Sequence, residues 1–285
     1  MPDKIKMYYS KLRNMGDCLN ELILKECFGY DAERHSFLDG EICGIGSCLG
    51  QYTLHGSAMM RLQQRINGIR RPHVYIWGTG FINYADAEGK FFKKKMEFCA
   101  VRGELTRKNV ERMTGRKLDI PMADAGILAS ELLKEQPEIC YDVGIVPHLC
   151  DLKDPAVQEL MAKYENAKLI NVKDDPLQVV KEIASCRYIL SSSLHGLIVA
   201  DSLGIPNMYL IFGDRLLGDG YKFEDYYSAY GIKAQPRDLR TEPWPELHEI
   251  EETYKILPEM VAEKKRQMKV AFPYPVKRRD TENGK

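Results

Sequence analysis

Polar residues that could do chemistry follow a short apolar run in the C-terminal half of the chain. The run Tyr188–Leu190 predicts a buried parallel strand, and Ser191–His195 come directly after it. Ligands of open α/β sheets collect beyond the carboxyl ends of the strands, where the next helix presents free amides and a partial positive charge. His195 titrates near neutrality and could serve there as an acid or a base. A serine that caps the helix beside an incidental histidine explains the same residues equally well.

Three further side chains could hold an anion. Arg102 lies at a strand-to-helix turn, where a guanidinium can grip a carboxylate or phosphate with two hydrogen bonds. His148 falls just past another strand end, although a loop histidine with structural partners is the alternative. Lys222, in an aromatic-rich stretch, could add a cation, although most lysines are simply solvated. Together these residues favour a site for an anionic substrate.

The N-terminal turn predicts a second polar site. Ile5–Tyr9 reads as a strand, and the turn after it leads into a helix that ends at Gly29. We expect Asn14, Gly16 and Asp17, at the start of this helix, to face an anion or a sugar hydroxyl. The spacing lacks a complete GxGxxG pattern, so it gives little support to dinucleotide binding.

The order of strand, turn and helix recurs along the chain and predicts a parallel α/β fold. A boundary near residue 138 divides it into two Rossmann-like domains, 1–138 and 139–272, and the C-terminal helix could join the first of them. Beyond Gly213 the pattern becomes irregular through Tyr221–Tyr227, and a charged helix then runs from about Glu246 to Lys269. We expect residues 273–285 to form a polar, disordered tail. The remaining strands are predicted at 42–45, 74–77, 96–101, 143–146 and 169–172, and from Met208.

Composition excludes several classes of function. The 285 residues contain 41 Lys and Arg and 41 Asp and Glu. The protein therefore has no net positive charge that would attract nucleic acid. The eight cysteines show no zinc-site spacing, and a reduced, cytoplasmic protein is expected. No apolar run is long enough to cross a bilayer, although the basic residues Lys277–Arg279 could touch the inner face of the membrane. P-loop, HExxH and DxD motifs are absent, and the residues favour a reaction without a metal.

Six ordered blocks and a signature segment carry a family resemblance. SSSLHGLIVADSLGIP resembles the signature of the polysaccharide pyruvyl transferase family, and the resemblance runs over residues 5 to 231. The other blocks are NMGDCLN (14–20), WGTGF (77–81), VRGELTRK (101–108), ADAGIL (123–128), VGIVPH (143–148) and YKFEDYYSAYG (221–231). The chain departs from the pattern at Ser193, where some members have arginine, and at Ala123, where glycine is usual. If that arginine grips the donor, Arg102 or Lys222 must substitute for it.

The resemblance implies two Rossmann-like domains facing across a cleft, similar to the B-type glycosyltransferases. It also implies transfer of a pyruvyl group from phosphoenolpyruvate, as co-substrate, to a sugar of a surface polysaccharide or its precursor, giving a ketal. The acceptor can be lipid-linked, and neither a metal nor another cofactor is required. His195 would be the acid or base, and His148 with the Asn14–Asp17 turn would face donor or acceptor. The residues expected to bind the donor are Arg102, Ser192, Ser193, Leu194 and Lys222.

Two other functions fit the same sequence. A metal-independent glycosyltransferase of the two-Rossmann type would use a nucleotide sugar in place of phosphoenolpyruvate. A non-enzymatic binding module of a surface-polymer assembly would turn over no donor, and it would not need His195 and an arginine to converge.

Overall fold

Two parallel five-stranded sheets, each flanked by helices, form the protein. The computed structural model describes residues 4–10, 14–93, 95–215 and 218–277. The strands are β1 (Lys4–Tyr8), β2 (Asp31–His35), β3 (Ile42–Cys43), β4 (Val74–Trp77), β5 (Met96–Ala100), β6 (Tyr141–Val146), β7 (Ala167–Leu169), β8 (Cys186–Ser191), β9 (Asn207–Ile211) and β10 (Arg237–Asp238). The helices are α1 (Met15–Phe28), α2 (Ala58–Arg70), α3 (Tyr84–Glu88), α4 (Glu104–Thr114), α5 (Pro155–Lys163), α6 (Pro176–Ala184), α7 (Leu194–Leu203), α8 (Tyr221–Ser228), α9 (Leu247–Thr253) and α10 (Pro258–Val270).

The two sheets repeat one strand order. The first sheet runs β2-β1-β3-β4-β5, and the second, read from its other edge, runs β7-β6-β8-β9-β10. Each order therefore reverses between the first and third strand of its sheet. In doubly wound sheets with this order, ligands bind at that reversal, outside the carboxyl ends of the strands. The topology thus gives each sheet one expected ligand position.

Local sequence signals explain where the helices begin and end. The Asn14 side chain accepts a hydrogen bond from the Gly16 amide at the start of α1. Gly29, Gly115 and Gly204 end α1, α4 and α7 in the left-handed conformation that glycine adopts readily, and the end at Gly29 confirms the sequence-based prediction. Asp175 caps α6, in which Pro176 occupies the first turn.

Three sequence-based predictions of secondary structure are wrong. Tyr221–Tyr227 is helical rather than irregular, and it forms most of α8. The strand expected at 169–172 ends at Leu169. The expected helix from Glu246 to Lys269 is two helices, because Pro258 has no amide hydrogen and disfavours helical geometry at the residue before it.

The C-terminal segment returns to the first sheet. The Trp77 indole donates a hydrogen bond to the carbonyl of Met268 on α10, at 3.0 Å. Phe272 stacks on Phe28 with ring centroids 3.8 Å apart, and the Lys277 amide donates to the Phe28 carbonyl. The expectation of a disordered tail is therefore wrong for residues 273–277. Arg278 and Arg279, expected to touch a membrane, lie outside the described residues.

The start of α1 links the two sheets. The Met15 amide donates a hydrogen bond to the Val172 carbonyl at 2.7 Å, just past β7. Leu19 and Ile23 of α1 belong to one buried apolar cluster with Val180 and Ile183 of α6. The two sheets consequently share a core at this point. Within the described ranges, no helix is both long and apolar enough to cross a membrane.

Candidate active site

One pocket collects side chains from the carboxyl ends of both sheets. Its cavity volume is ≈ 240 Å³, and it lies beyond the strand-order reversal of each sheet. The first half contributes Tyr8, Ser10, Asn14, Asp17, Gly46, Ser47, Cys48, Gln51 and Ile82. The second half contributes His148, Ser193, Leu194, His195 and Lys222. Most of the residues that the sequence singled out therefore meet here.

His195 lies against the start of α1. It occupies the first turn of α7, and its ring packs so closely on Gly16 that a β-carbon there would lie 2.0 Å from Nδ1. Because Gly16 has no side chain, it leaves room for the imidazole. This contact explains why a glycine follows Asn14 and Met15, and it joins the two predicted polar sites into one.

His195 is held in its neutral form. Burial lowers its pKa to about 3, and the positive charges of Lys222 and Arg102 act in the same direction. Its Nε2 atom is buried and has no hydrogen-bond partner in the described part of the protein. A neutral imidazole with an unsatisfied ring nitrogen can accept a proton or bind a ligand hydroxyl. In the unliganded protein His195 is thus a neutral imidazole with a ring nitrogen available to a ligand.

Lys222 is the one lysine or arginine among the described residues that line the pocket. It lies in the first turn of α8, and only 9% of it is exposed. Burial lowers its pKa to about 8, with a further contribution from Arg102, so the amine is still mostly protonated at pH 7. None of the described side chains forms an ion pair with it. A buried, uncompensated ammonium group is costly, and an anionic ligand would relieve that cost.

Arg102 lies behind the pocket wall. Its side chain is fully buried, and its Nε donates to the Asp225 carboxylate at 2.9 Å. Its other nitrogens donate to the Ser47 hydroxyl, at 2.6 Å, and to the Phe81 carbonyl. Ser47 lines the pocket, whereas Arg102 does not. Arg102 therefore lies behind Ser47 and does not line the pocket, whereas Lys222 does.

The serines before α7 divide into two groups. The Ser192 hydroxyl donates to Asp151 at 2.7 Å and accepts from the His148 amide, so it is already engaged. Ser193 and Leu194 line the pocket at the start of α7, where amides point out of the helix. Of the two serines expected to bind the donor, only Ser193 thus reaches the pocket.

Two other pocket residues have pKa values shifted from their usual ranges. Burial raises the pKa of Asp17 to about 7 and lowers that of His148 to about 4. His148 Nδ1 also lies 3.0 Å from the sulfur of Cys150. Asp17 is therefore partly protonated at neutral pH and can donate a proton, whereas His148 is neutral.

Several polar residues at or behind the pocket are not predicted from the sequence. Ser47 lines the pocket, and Asp225 receives Arg102 together with the amide and hydroxyl of Thr106. Asp124 is fully buried, its pKa is raised to about 7 by burial, and its Oδ2 atom has no described partner. An aspartate inside the apolar segment ADAGIL was the available signal for Asp124. Ser47 and Asp225 carry no such local signal.

No group of three or more His, Cys, Asp or Glu side chains is arranged to hold a metal ion within the described residues. The prediction that the reaction needs no metal stays a prediction.

Fold and site together define a class: an α/β protein of two parallel sheets, with a neutral histidine and a buried lysine in one pocket. A family model identifies the class further. The polysaccharide pyruvyl transferase model matches residues 61–211, more than half of the chain, and the protein belongs to this family. The matched region includes Arg102, His148 and His195, whereas Gly16 and Lys222 lie outside it.

Two relatives and one solved structure resemble the chain. The uncharacterized protein L143 of Acanthamoeba polyphaga mimivirus is 29% identical over 232 residues, 79% of this chain and 74% of that protein. The succinoglycan biosynthesis protein ExoV of Rhizobium meliloti is 23% identical over 239 residues, 82% of this chain and 67% of ExoV. A functionally uncharacterised Klebsiella pneumoniae protein of known crystal structure is 15% identical, with a TM-score of 0.44 over 82% of this chain and 92% of that one.

Proposed function

We propose that this protein, a transferase of polysaccharide pyruvylation by its family, uses phosphoenolpyruvate as donor and forms a pyruvate ketal on a glycan. The observation that carries the proposal is the convergence of the neutral His195 and the cationic Lys222 in one pocket. Resemblance to ExoV, a succinoglycan biosynthesis protein, supports a polysaccharide or its precursor as acceptor. The proposal includes the cleft between two Rossmann-like domains that the family resemblance implies.

The donor would be held mainly by Lys222. Its ammonium group would face the phosphate or carboxylate, and the amides at the start of α7 with the Ser193 hydroxyl would add hydrogen bonds. The cavity of ≈ 240 Å³ is below the about 300 Å³ at which pockets for drug-sized ligands begin. A small anion therefore fits this pocket better than a nucleotide sugar, and no observed feature favours the glycosyltransferase alternative.

The reaction balances without an external oxidant or reductant. A proton adds to the methylene carbon of the enol, and the neighbouring carbon becomes electrophilic. One sugar hydroxyl attacks that carbon and loses its proton, and the bond from carbon to the phosphate oxygen breaks. The second hydroxyl then attacks the same carbon and closes the ketal ring. Of the two hydroxyl protons, one replaces the proton given to the methylene carbon, and the other leaves with phosphate.

The pKa shifts of His195 and Asp17 have opposite directions, and we assign one proton transfer to each residue. His195, whose pKa is lowered, would take the proton from the attacking hydroxyl. Asp17, whose pKa is raised, would supply the proton to the methylene carbon. Residues whose surroundings move their pKa values apart are the usual pattern for an acid and a base in one site. His148, also neutral, would bind donor or acceptor rather than transfer the proton.

The test compares His195→Ala with His73→Ala, which removes a partly exposed histidine outside the pocket. Phosphate release from phosphoenolpyruvate is measured with a panel of acceptor glycans, and the product is identified by its mass. We expect His195→Ala to lose about two to four orders of magnitude in rate and His73→Ala to lose little. A rate for His195→Ala close to that of the wild type would contradict its role.

A melting experiment separates the donor classes. Phosphoenolpyruvate should raise the melting temperature of the wild-type protein, and a nucleoside diphosphate should not, because only a ligand of the folded state stabilises it. Stabilisation by the nucleotide alone would refute the proposed donor and favour a glycosyltransferase. Donor binding with no turnover of any acceptor would instead indicate a binding module.

A further inference from the structure

Helix α2 exposes its apolar side to solvent. Among its residues only Gly68 is buried, and it packs on Phe92 and Lys93 so closely that a β-carbon would lie 2.6 Å from the Phe92 carbonyl oxygen. The exposed large apolar side chains of α2 are Met59 (81% exposed), Met60 (56%), Leu62 (59%), Ile66 (37%) and Ile69 (58%). A helix on a globular protein normally turns such residues inward.

Four of the five exposed apolar residues of α2 form one stripe. At about 100° per residue, Met59, Leu62, Ile66 and Ile69 fall within an arc of about 80°. The half-buried Asn67 and the buried Gly68 lie on the opposite side, which faces the protein. The helix is thus amphipathic, but its apolar side faces solvent and its polar side faces the protein. An exposed apolar stripe of this kind needs another surface to cover it.

The charges of α2 are all positive. The helix carries Arg61, Arg65 and Arg70 and contains no aspartate or glutamate. Arg65 and Arg70 flank the apolar stripe on its two sides. Within the described residues, none of the three arginines forms an ion pair. An apolar stripe bordered by unpaired arginines is the pattern of a helix that lies in the interface of an anionic membrane.

We propose that α2 binds the surface of an anionic phospholipid bilayer, with its stripe in the acyl boundary and its arginines among the headgroups. A second copy of this chain fits less well, because two such helices would bring arginines together with no carboxylate on either helix to pair with them.

The inference does not depend on the proposed chemistry and is tested by binding alone. The purified full chain is sedimented with vesicles of phosphatidylcholine, with and without phosphatidylglycerol. We expect binding to the anionic vesicles that weakens as salt is raised. Leu62→Gln/Ile66→Gln/Ile69→Gln should weaken that binding by at least about a hundredfold, because three side chains lose their apolar contact. Arg65→Gln/Arg70→Gln should cost about fivefold per arginine on anionic vesicles.

The matched control is Leu257→Gln/Val270→Gln, which removes two exposed apolar side chains outside α2. It should leave vesicle binding unchanged, and far-UV circular dichroism with a thermal melt checks that each variant folds. Equal binding to neutral and anionic vesicles, no binding at low salt, or an equal effect of the control would overturn the proposal. So would a dimer of the wild-type protein, detected by light scattering, that the triple variant alone converts to monomer.

Discussion

Replacing Gly16 by alanine tests whether the contact between α1 and His195 positions the imidazole. The added β-carbon would lie 2.0 Å from Nδ1, 2.3 Å from Cγ and 2.6 Å from Cε1 of His195. Ordinary contact begins near 3.4 Å, so the ring or the helix must move by about 1.4 Å. A misplacement of about 1 Å in a catalytic group can cost about a hundredfold in rate. Overpacking of this kind also lowers the free energy of unfolding by about 1–3 kcal/mol.

The assay combines stability with activity in a double-mutant cycle. Gly16→Ala, His195→Ala and the double variant are compared with wild type by urea unfolding and by phosphate release from phosphoenolpyruvate. Once the imidazole is gone, the new methyl group fits the vacated space, and Gly16→Ala should cost almost nothing further. We therefore expect a coupling energy of about 1–3 kcal/mol between the two positions.

A control substitution separates the contact from a general effect of glycine. Gly213→Ala adds a β-carbon with no atom of the described residues within 4 Å, and its stability should stay within about 0.5 kcal/mol of wild type. The reasoning is refuted if Gly16→Ala keeps activity within about twofold of wild type, or if the effects of Gly16→Ala and His195→Ala simply add.

Three further predictions concern the buried charges. Because Lys222 must be protonated to hold an anion, kcat/KM for phosphoenolpyruvate should fall above about pH 8. Lys222→Arg should move that decline to higher pH. An unchanged pH profile in Lys222→Met would contradict the assignment of Lys222 to the donor. The pKa of Lys222 in the folded protein lies below the usual 10.5, so its charged form destabilises the fold below pH 8. Lys222→Met should therefore raise the free energy of unfolding in urea at pH 7 by up to about 3 kcal/mol. Arg102→Met leaves the Asp225 carboxylate buried without its ionic partner and should lower the free energy of unfolding by about 3–5 kcal/mol. Arg107→Met, at a partly exposed ion pair, should cost less than about 1 kcal/mol, and equal costs for the two arginines would refute this distinction.

Local patterns predicted the elements that carry their own signals. The strand Val74–Trp77 is a compact apolar run bounded by polar residues and glycine, and the structure has it with the same bounds. The strand β2 was not predicted, because its sequence DAERH is largely charged, as suits an edge strand. Helix α8 was missed because Tyr221, Phe223 and Tyr226 are all buried, so its burial covers several sides and leaves no simple stripe.

The functional site was harder to predict from the sequence than the fold, because long-range contacts bring its residues together. His195 and Lys222 could be named from residue type and position, but nothing local showed that Gly16 would touch the imidazole from the other half of the chain. Arg102 was expected to hold the donor because it follows a strand. Its burial against Asp225, 123 residues later, is a long-range pairing that sequence spacing does not reveal.

The return of the C-terminal segment to the first sheet bears on the order in which the chain folds. Tyr30 donates a hydrogen bond to the carbonyl of Pro275, 245 residues further along the chain, and Phe272 supplies part of the core around Phe28. During synthesis the first sheet therefore emerges from the ribosome long before the residues that complete its core. Until α10 arrives, apolar surface near Phe28 and Trp77 stays uncovered, a condition that favours slow folding and association with chaperones.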